Sequence, residues 1–248
     1  MSNPVKLRSV VTTVIKHGDG IYTVKMLPEG RIPRFKPGQF LHLTIDKYDP
    51  SGGFWPESRV FSIASAPGTA EIEIVYSVKG RYTKLMEEQL ALGREVWLKL
   101  PYGDFIIDTT TRNDQDVVLV AGGTGVSPFL PYLKKLLSAG IKDRTIRLYY
   151  GARERSLLVD TDLISKCKNK ELLDARFFIE NAENPTEILA GIGAERGCLD
   201  IERIRLESLD LQNPVFFLSG PPMMIKTFKK KLEASGLADG CVVIDEWE

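Results

Sequence analysis

The sequence predicts a two-domain protein, an N-terminal antiparallel β-barrel followed by an α/β domain built on a parallel sheet. Three observations carry this expectation. As far as Ile107, short segments alternate apolar and polar residues between turn signals. Beyond the polar stretch 108–116, continuous apolar strands alternate with amphipathic helices. The length, 248 residues, suits two domains of ordinary size. The boundary is placed near Thr110, giving domains 1–109 and 110–248.

In chain order, strands are expected at 5–15, 21–26, 39–45, 59–65, 71–78 and 95–100. The fifth is the clearest, with Ile72, Ile74, Tyr76 and Val78 on one face of a half-buried strand. Gly18-Asp-Gly20, Pro28-Glu-Gly30, Pro37-Gly38, Pro50-Ser-Gly-Gly53 and Pro67-Gly68 supply the turns. Many short strands at regular spacing suggest closure into a barrel. One helix interrupts them over 83–92, with Thr83 as N-cap and Gly93 as its stop. In the second half, strands over 117–121, 145–150, 176–179 and 215–218 alternate with helical segments at 127–139, 158–166, 200–207 and 222–235.

Composition narrows the function classes. Hydrophobic content of 43% and charged content of 27% are those of a globular domain, and basic and acidic residues balance at 33 each. That balance argues against a nucleic-acid binder. No apolar run approaches the roughly 20 residues that span a bilayer. The N-terminus lacks a signal-peptide core. Cys167, Cys198 and Cys241 are odd in number and lack metal-ligand spacing, so neither a disulfide framework nor a metal site is expected. The cytoplasm is the expected compartment.

Three short motifs carry the chemistry. In Arg59-Val-Phe-Ser-Ile-Ala-Ser65, an arginine able to fork onto a phosphate precedes an aromatic that can stack on a flat ring and a small hydroxyl that allows close approach. Lys79-Gly80-Arg-Tyr-Thr83 closes a strand and opens a helix, whose first N–H groups favour an anion. Gly122-Gly-Thr-Gly125 follows a buried strand and leads into a helix near Ser127-Pro128. Glycines let the backbone approach a pyrophosphate, and proline suits the first helical turn. The spacing fits neither a Walker loop nor Gly-x-Gly-x-x-Gly. Ser219-Gly-Pro-Pro-Met-Met224 ends another apolar strand, and ligands of open α/β sheets bind outside such strand ends.

Arg59-x-Phe61-Ser62-x-x-Ser65 resembles the flavin motif of the ferredoxin–NADP⁺ reductase superfamily, usually written Arg-x-Tyr-Ser-x-x-Ser. The Lys-Gly-x-x-Thr turn, the Gly-Gly-Thr-Gly loop and the Gly-Pro-Pro turn follow in family order, so the similarity covers nearly the whole chain. The resemblance implies a flavin in the barrel, FAD more often than FMN, and NADH or NADPH in the second domain. It implies an oxidoreductase in which hydride passes from NAD(P)H to FAD and electrons go on to an external acceptor. A ferredoxin, a flavodoxin or an oxygenase component fits that description. The chain carries no cysteine-rich segment for an iron–sulfur cluster. Two other readings stay open, an electron-transfer subunit of a larger redox complex and a nucleotide-sensing module without turnover.

By the same resemblance, Arg59 holds the flavin diphosphate, Phe61 flanks the ring or ribityl chain, and Ser62 reaches toward flavin N5. The flavin site then takes in Val60, Val78, Lys79, Gly80, Tyr82 and Thr83. The nucleotide site takes in Gly122, Gly123, Thr124, Gly125, Arg153, Gly220, Pro221, Pro222 and Met223. Ser62 and Ser219 are the residues expected nearest the reacting atoms, and Trp247 either stacks over the flavin or packs at the edge of a last strand within 242–248. Two positions depart from the family pattern. Phe61 lacks the common tyrosine hydroxyl, and Ser219 stands where relatives usually have cysteine. Cofactor choice stays open: Arg153 and Arg155 suit a 2′-phosphate and Glu154 a free hydroxyl, with a lean toward NADH. Met223, Met224, Ile225, Phe228 and Leu232 follow helical spacing and read mainly as core, and His17 and His42 read as structural.

Overall fold

The computed structural model describes residues 3–18, 20–189 and 191–245. The first six strands are β1 (Val5–Lys16), β2 (Ile21–Pro28), β3 (Phe40–Thr44), β4 (Arg59–Ser62), β5 (Ile72–Ser77) and β6 (Glu95–Tyr102). They form one antiparallel sheet in the order β4-β3-β6-β1-β2-β5. The sheet curls until its two edge strands meet. Just past β4, the Ala64 N–H donates to the Glu73 carbonyl on β5 at 2.7 Å. The barrel is therefore nearly closed, which covers the exposed edges of an open sheet.

Alternate residues of these strands fill the barrel, among them Val24, Met26, Leu41, Leu43, Ile72, Ile74 and Leu98. Helix α1 (Arg81–Gln89) plugs one end with Tyr82 and Met86. Each such burial contributes roughly 1.5–3 kcal/mol. The helix differs from the sequence expectation at its start. Gly80 is the N-cap, and Thr83 sits at the third helical position, where its Oγ1 accepts from the N–H groups of Lys79 (2.9 Å) and Gly80 (3.1 Å). The same motif residues are used, three positions further along.

A four-residue helix, α2 (Ile107–Thr110), leads into the second layer. Its strands are β7 (Val117–Gly122), β8 (Ile146–Ala152), β9 (Asp174–Ile179), β10 (Thr186–Leu189), β11 (Ile192–Arg196), β12 (Val215–Ser219) and β13 (Val242–Ile244). Their order is β10-β11-β9-β8-β7-β12-β13. Every pairing is parallel except β10 with β11. Helices α3 (Leu130–Ala139) and α4 (Thr161–Asn169) cover one face; α5 (Ile201–Glu207) and α6 (Pro222–Ala234) cover the other. Val117, Leu119 and Ala121 point toward α3 and α4, and Val118 and Val120 toward α5 and α6. Double cover is why the strand reads as an unbroken apolar run.

Three expectations change. The helix placed at 127–139 is a tight 3₁₀ segment, Gly123–Phe129, that continues as α3. The β10–β11 hairpin gives no periodic signal in the sequence. Strand β5 is buried on both faces, with Glu73 and Val75 enclosed as well as Ile72, Ile74 and Tyr76. The second domain supplies that cover: Ile21, Ala64, Val75, Phe105 and Ile107 share one core with Val126, Phe129, Leu130 and Leu133. Phe105 meets Phe129 at 5.7 Å and Phe217 at 5.5 Å between ring centres.

Candidate functional site

A cleft of roughly 300 Å³ opens along this seam. One wall is β4, with Arg59, Val60, Phe61 and Ser62, joined by Tyr76 and Ser77 of β5 and by Lys79, Gly80, Arg81, Tyr82 and Thr83. The facing wall comes from Thr124, Gly125, Ser127, Pro128, Ser219, Gly220 and Asp245. Of the predicted flavin residues that are described, all but one are thus brought together. Val78 packs against the barrel core, and its N–H donates to the Gly20 carbonyl at 2.7 Å.

Arg59 is held in place by three contacts. Its guanidinium lies 4.6 Å from the centre of the Tyr82 ring, donates to the Ser58 carbonyl at 2.8 Å, and pairs with Glu57 at 2.8 Å. Arg81 reaches the other oxygen of the same carboxylate at 3.1 Å. Tyr82 is fixed in turn, since its hydroxyl accepts from the Ile45 N–H at 3.1 Å and donates to the Glu57 carbonyl at 3.0 Å. Both guanidinium groups are of the kind that forks onto a phosphate as readily as onto the carboxylate they now share. The Tyr76 hydroxyl lines the same cleft, is buried, and has no hydrogen-bond partner in the protein. Burial pushes its phenol pKa up, so it stays a neutral donor. Buried polar groups are almost always satisfied, so an orphaned hydroxyl in a cleft fits a bound polar ligand such as a flavin.

A second cleft, about 640 Å³, adjoins the first and shares Ser77, Lys79, Thr124 and Gly220 with it. Gly122, Gly123, Pro221, Met223 and Met224 line one end; Gly151, Arg153, Glu180, Cys198 and Leu199 line the other. The Gly-Gly-Thr-Gly loop is glycine for steric reasons. A Cβ on Gly125 would stand 2.3 Å from the Ser219 carbonyl oxygen. Gly123 has φ +56° with open space beside it, as a backbone cradle for a ligand requires. The loop and the 219–221 turn are therefore in backbone contact, side by side at the carboxyl ends of β7 and β12.

Three sequence expectations find different places, and a fourth falls on a residue that is not described. Pro222 begins α6 and lines a separate depression with Lys226 and Lys230. Met223 is 72% exposed and Met224 lines the second cleft, so of the five residues read as core only Ile225 and Leu232 are buried, with Phe228 packed partly beside them. Glu154 and Arg155 line a separate depression with His17 and Asn181, whereas Arg153 does line the second cleft. Trp247 lies outside the described residues.

Asp245 is not among the site residues expected from sequence, and the acidic stretch Glu180-Asn-Ala-Glu183 does not by itself settle cofactor choice there. The Ser219 hydroxyl donates to Asp245 Oδ2 at 2.9 Å, which places a carboxylate on the wall facing Ser62. Glu180 follows β9 and is the one carboxylate lining the second cleft among the described residues. Burial and the neighbouring Glu180 push the Cys198 thiol up, so it stays protonated. Parallel register could have flagged Glu180: β8 and β9 pair Ala152 with Ile179, so Arg153 and Glu180 end adjacent strands.

Residues 119–230 match the oxidoreductase NAD-binding domain family. The whole chain superimposes on a ferredoxin–NADP⁺ reductase from Neisseria gonorrhoeae with bound FAD and NADP, with TM-score 0.76, 19% identity and 99% of both chains covered. The chain shares the two-domain fold of that reductase. The cytochrome P450 reductase GcoB of Amycolatopsis gives TM-score 0.79 at 19% identity, covering 98% of this chain and 70% of that one. In sequence it is 29% identical to the reductase component of propane 2-monooxygenase from Rhodococcus jostii over 97% of its own length. It spans 63% of that relative's length, and 59% of the counterpart from Mycolicibacterium goodii. Among the described residues no helix is long and apolar enough to cross a membrane.

Proposed function

We propose that the chain is a flavin-dependent NAD(P)H oxidoreductase, with FAD held by the barrel domain (1–109) and NAD(P)H by the α/β domain (110–248). The single observation that carries this reading is the continuity of the two clefts, which share Ser77, Lys79, Thr124 and Gly220. Arg59 and the Lys79–Thr83 turn hold the flavin diphosphate, with Val60, Phe61, Tyr82 and Tyr76 around the rest. Gly122–Gly125 and the Gly220-Pro221 turn cradle the nucleotide pyrophosphate, with Arg153 and Met223 flanking it. Bound there, FAD would supply the hydride-accepting chemistry for NAD(P)H and the onward path of electrons to an external acceptor.

The residues contribute orientation. Ser62 on one wall and Ser219 with Asp245 on the other stand nearest the place where two rings would meet, and positioning of this kind is the main service of a cofactor enzyme. Glu180 suits a free ribose 2′-hydroxyl and repels a 2′-phosphate, which favours NADH. The relatives named as oxygenase reductase components make an oxygenase or its ferredoxin the proposed acceptor. One relative, sulfhydrogenase 2 subunit gamma of Pyrococcus furiosus, 28% identical over 83% of this chain, favours a place in a larger redox complex as the second reading. The three free cysteines accord with a cytoplasmic setting.

The test is direct. Purified protein reconstituted with FAD should be yellow, and NADH added without oxygen should bleach it faster than NADPH does. Protein that binds neither FAD nor FMN would overturn the proposal.

A further inference from the structure

We propose that Lys134 is a positioning residue, a strut that fixes the two clefts against each other. The proposal rests on the function above, because the clefts are what it would align. Lys134 lies on α3, which descends from the Gly-Gly-Thr-Gly loop. Its ammonium leaves its own domain and donates to Glu73 Oε1 on β5 at 2.8 Å and to the Ala64 carbonyl at 2.9 Å. Asp160, the N-cap of α4, adds a carboxylate oxygen at 3.7 Å. Both ends of the strut are therefore continuations of the cradles. Ala64 stands two residues beyond Ser62, and the N–H of Ala64 donates back to the Glu73 carbonyl.

The surroundings make the contact specific. The side chains of Lys134 and Glu73 are 23% and 11% exposed, and the nearest other cation to Glu73 is Lys25 at 3.9 Å. Around them the seam is apolar, with Ala64 and Val75 against Val126 and Phe129. Apolar contact is non-directional and tolerates sliding. An ammonium with acceptors on a strand, a strand end and a helix cap admits one register. Register matters because a displacement of about 1 Å at a reacting pair can cost about 100-fold in rate. Lys134 touches neither cleft; it acts through the elements that carry them.

Lys134→Met alone strands the Glu73 carboxylate in a buried site, so the informative variant is Lys134→Met/Glu73→Gln, with Lys134→Arg as the conservative control. In FAD-free protein, hydrogen exchange is measured at the amides of 72–77 and 123–129. In FAD-loaded protein, the FAD and NADH dissociation constants and the anaerobic rate of flavin reduction are measured. The double variant should exchange at least about ten-fold faster in both segments, keep both affinities within about two-fold, and reduce flavin at least about ten-fold more slowly. Lys134→Arg should restore the rate. Exchange and reduction at the native rates in the double variant, or a rate loss that merely follows lost FAD, would overturn the strut. If the native protein binds no flavin, the functional reading fails, and the exchange arm still decides whether Lys134 couples the domains.

Discussion

The two halves of the site are built from different materials. On the barrel side the candidate ligands are side chains: Arg59 stacked on Tyr82, Phe61 at the strand centre, Tyr76 with a free hydroxyl. On the nucleotide side they are backbone, a glycine loop pressed against the 219–221 turn. The difference teaches where each half is vulnerable. Side chains on a closed barrel can be replaced while the barrel stands. A backbone cradle cannot be altered without moving the strands and helices that carry it.

The largest expected effect tests the first half of that contrast. Arg59→Ala should weaken FAD binding by roughly 10- to 100-fold, the worth of a charge-assisted hydrogen bond at about 1.5–3 kcal/mol. Fluorescence titration with FAD checks this, and the melting temperature of the flavin-free protein should stay within a degree or so. A folded variant with native FAD affinity would break the comparison. Gly125→Ala tests the other half. Its Cβ meets backbone rather than a flexible side chain, so it should cost about 1–3 kcal/mol of stability. For a chain of this size, each kcal/mol lowers the melting temperature by roughly 2–4 °C, so the loss should be visible by calorimetry even without ligands.

Smaller changes sharpen the comparison. Phe61→Tyr restores the hydroxyl that the flavin motif usually carries, and should tighten FAD by about 2- to 10-fold, near 0.5–1.5 kcal/mol. An unchanged affinity would show that Phe61 stands away from the polar parts of the flavin. The smallest effect is pH dependence. Burial lowers the pKa of His17 and His42 below the ordinary 6.5, so both favour the neutral form when folded. The unfolded chain then binds more protons, and the stability these residues contribute is complete above pH 6.5 and lost as pH falls below it. Denaturant midpoints at pH 7.5 and 5.5 should differ in that direction. His17→Gln should reduce the difference, because it removes the titrating ring while an amide can still meet the Thr23 hydroxyl that the ring nitrogen contacts at 2.7 Å.

Legibility followed the same division. The barrel strands, the Arg59–Ser62 segment and the Gly-Gly-Thr-Gly loop could be read from the sequence because each is local: a period of two, a turn, a strand-to-helix junction. What the sequence hid is what the fold brings together from afar. Asp245 reaches Ser219 across 26 positions, and Glu73 reaches Lys134 across 61. Tyr76 read as a core residue because its alternation is that of the barrel interior, while its unpartnered hydroxyl can be seen only in three dimensions. Strand β5 read as half-buried because nothing in a strand announces that another domain will cover its outer face. The β10–β11 hairpin was missed because its residues, with Gly191 and Gly193 among them, offer no apolar rhythm.

On the proposed function, the two cradles face one shared space and hold their cofactors ring to ring across it. A crystal structure of the protein with FAD and NAD⁺ bound measures this most directly. Electron density is expected for the flavin diphosphate beside Arg59 and Gly80, for the nucleotide pyrophosphate beside Gly123 and Gly220, and for both rings between Ser62 and Ser219. Flavin density elsewhere on the barrel, or a nucleotide bound away from the Gly122–Gly125 loop, would contradict it.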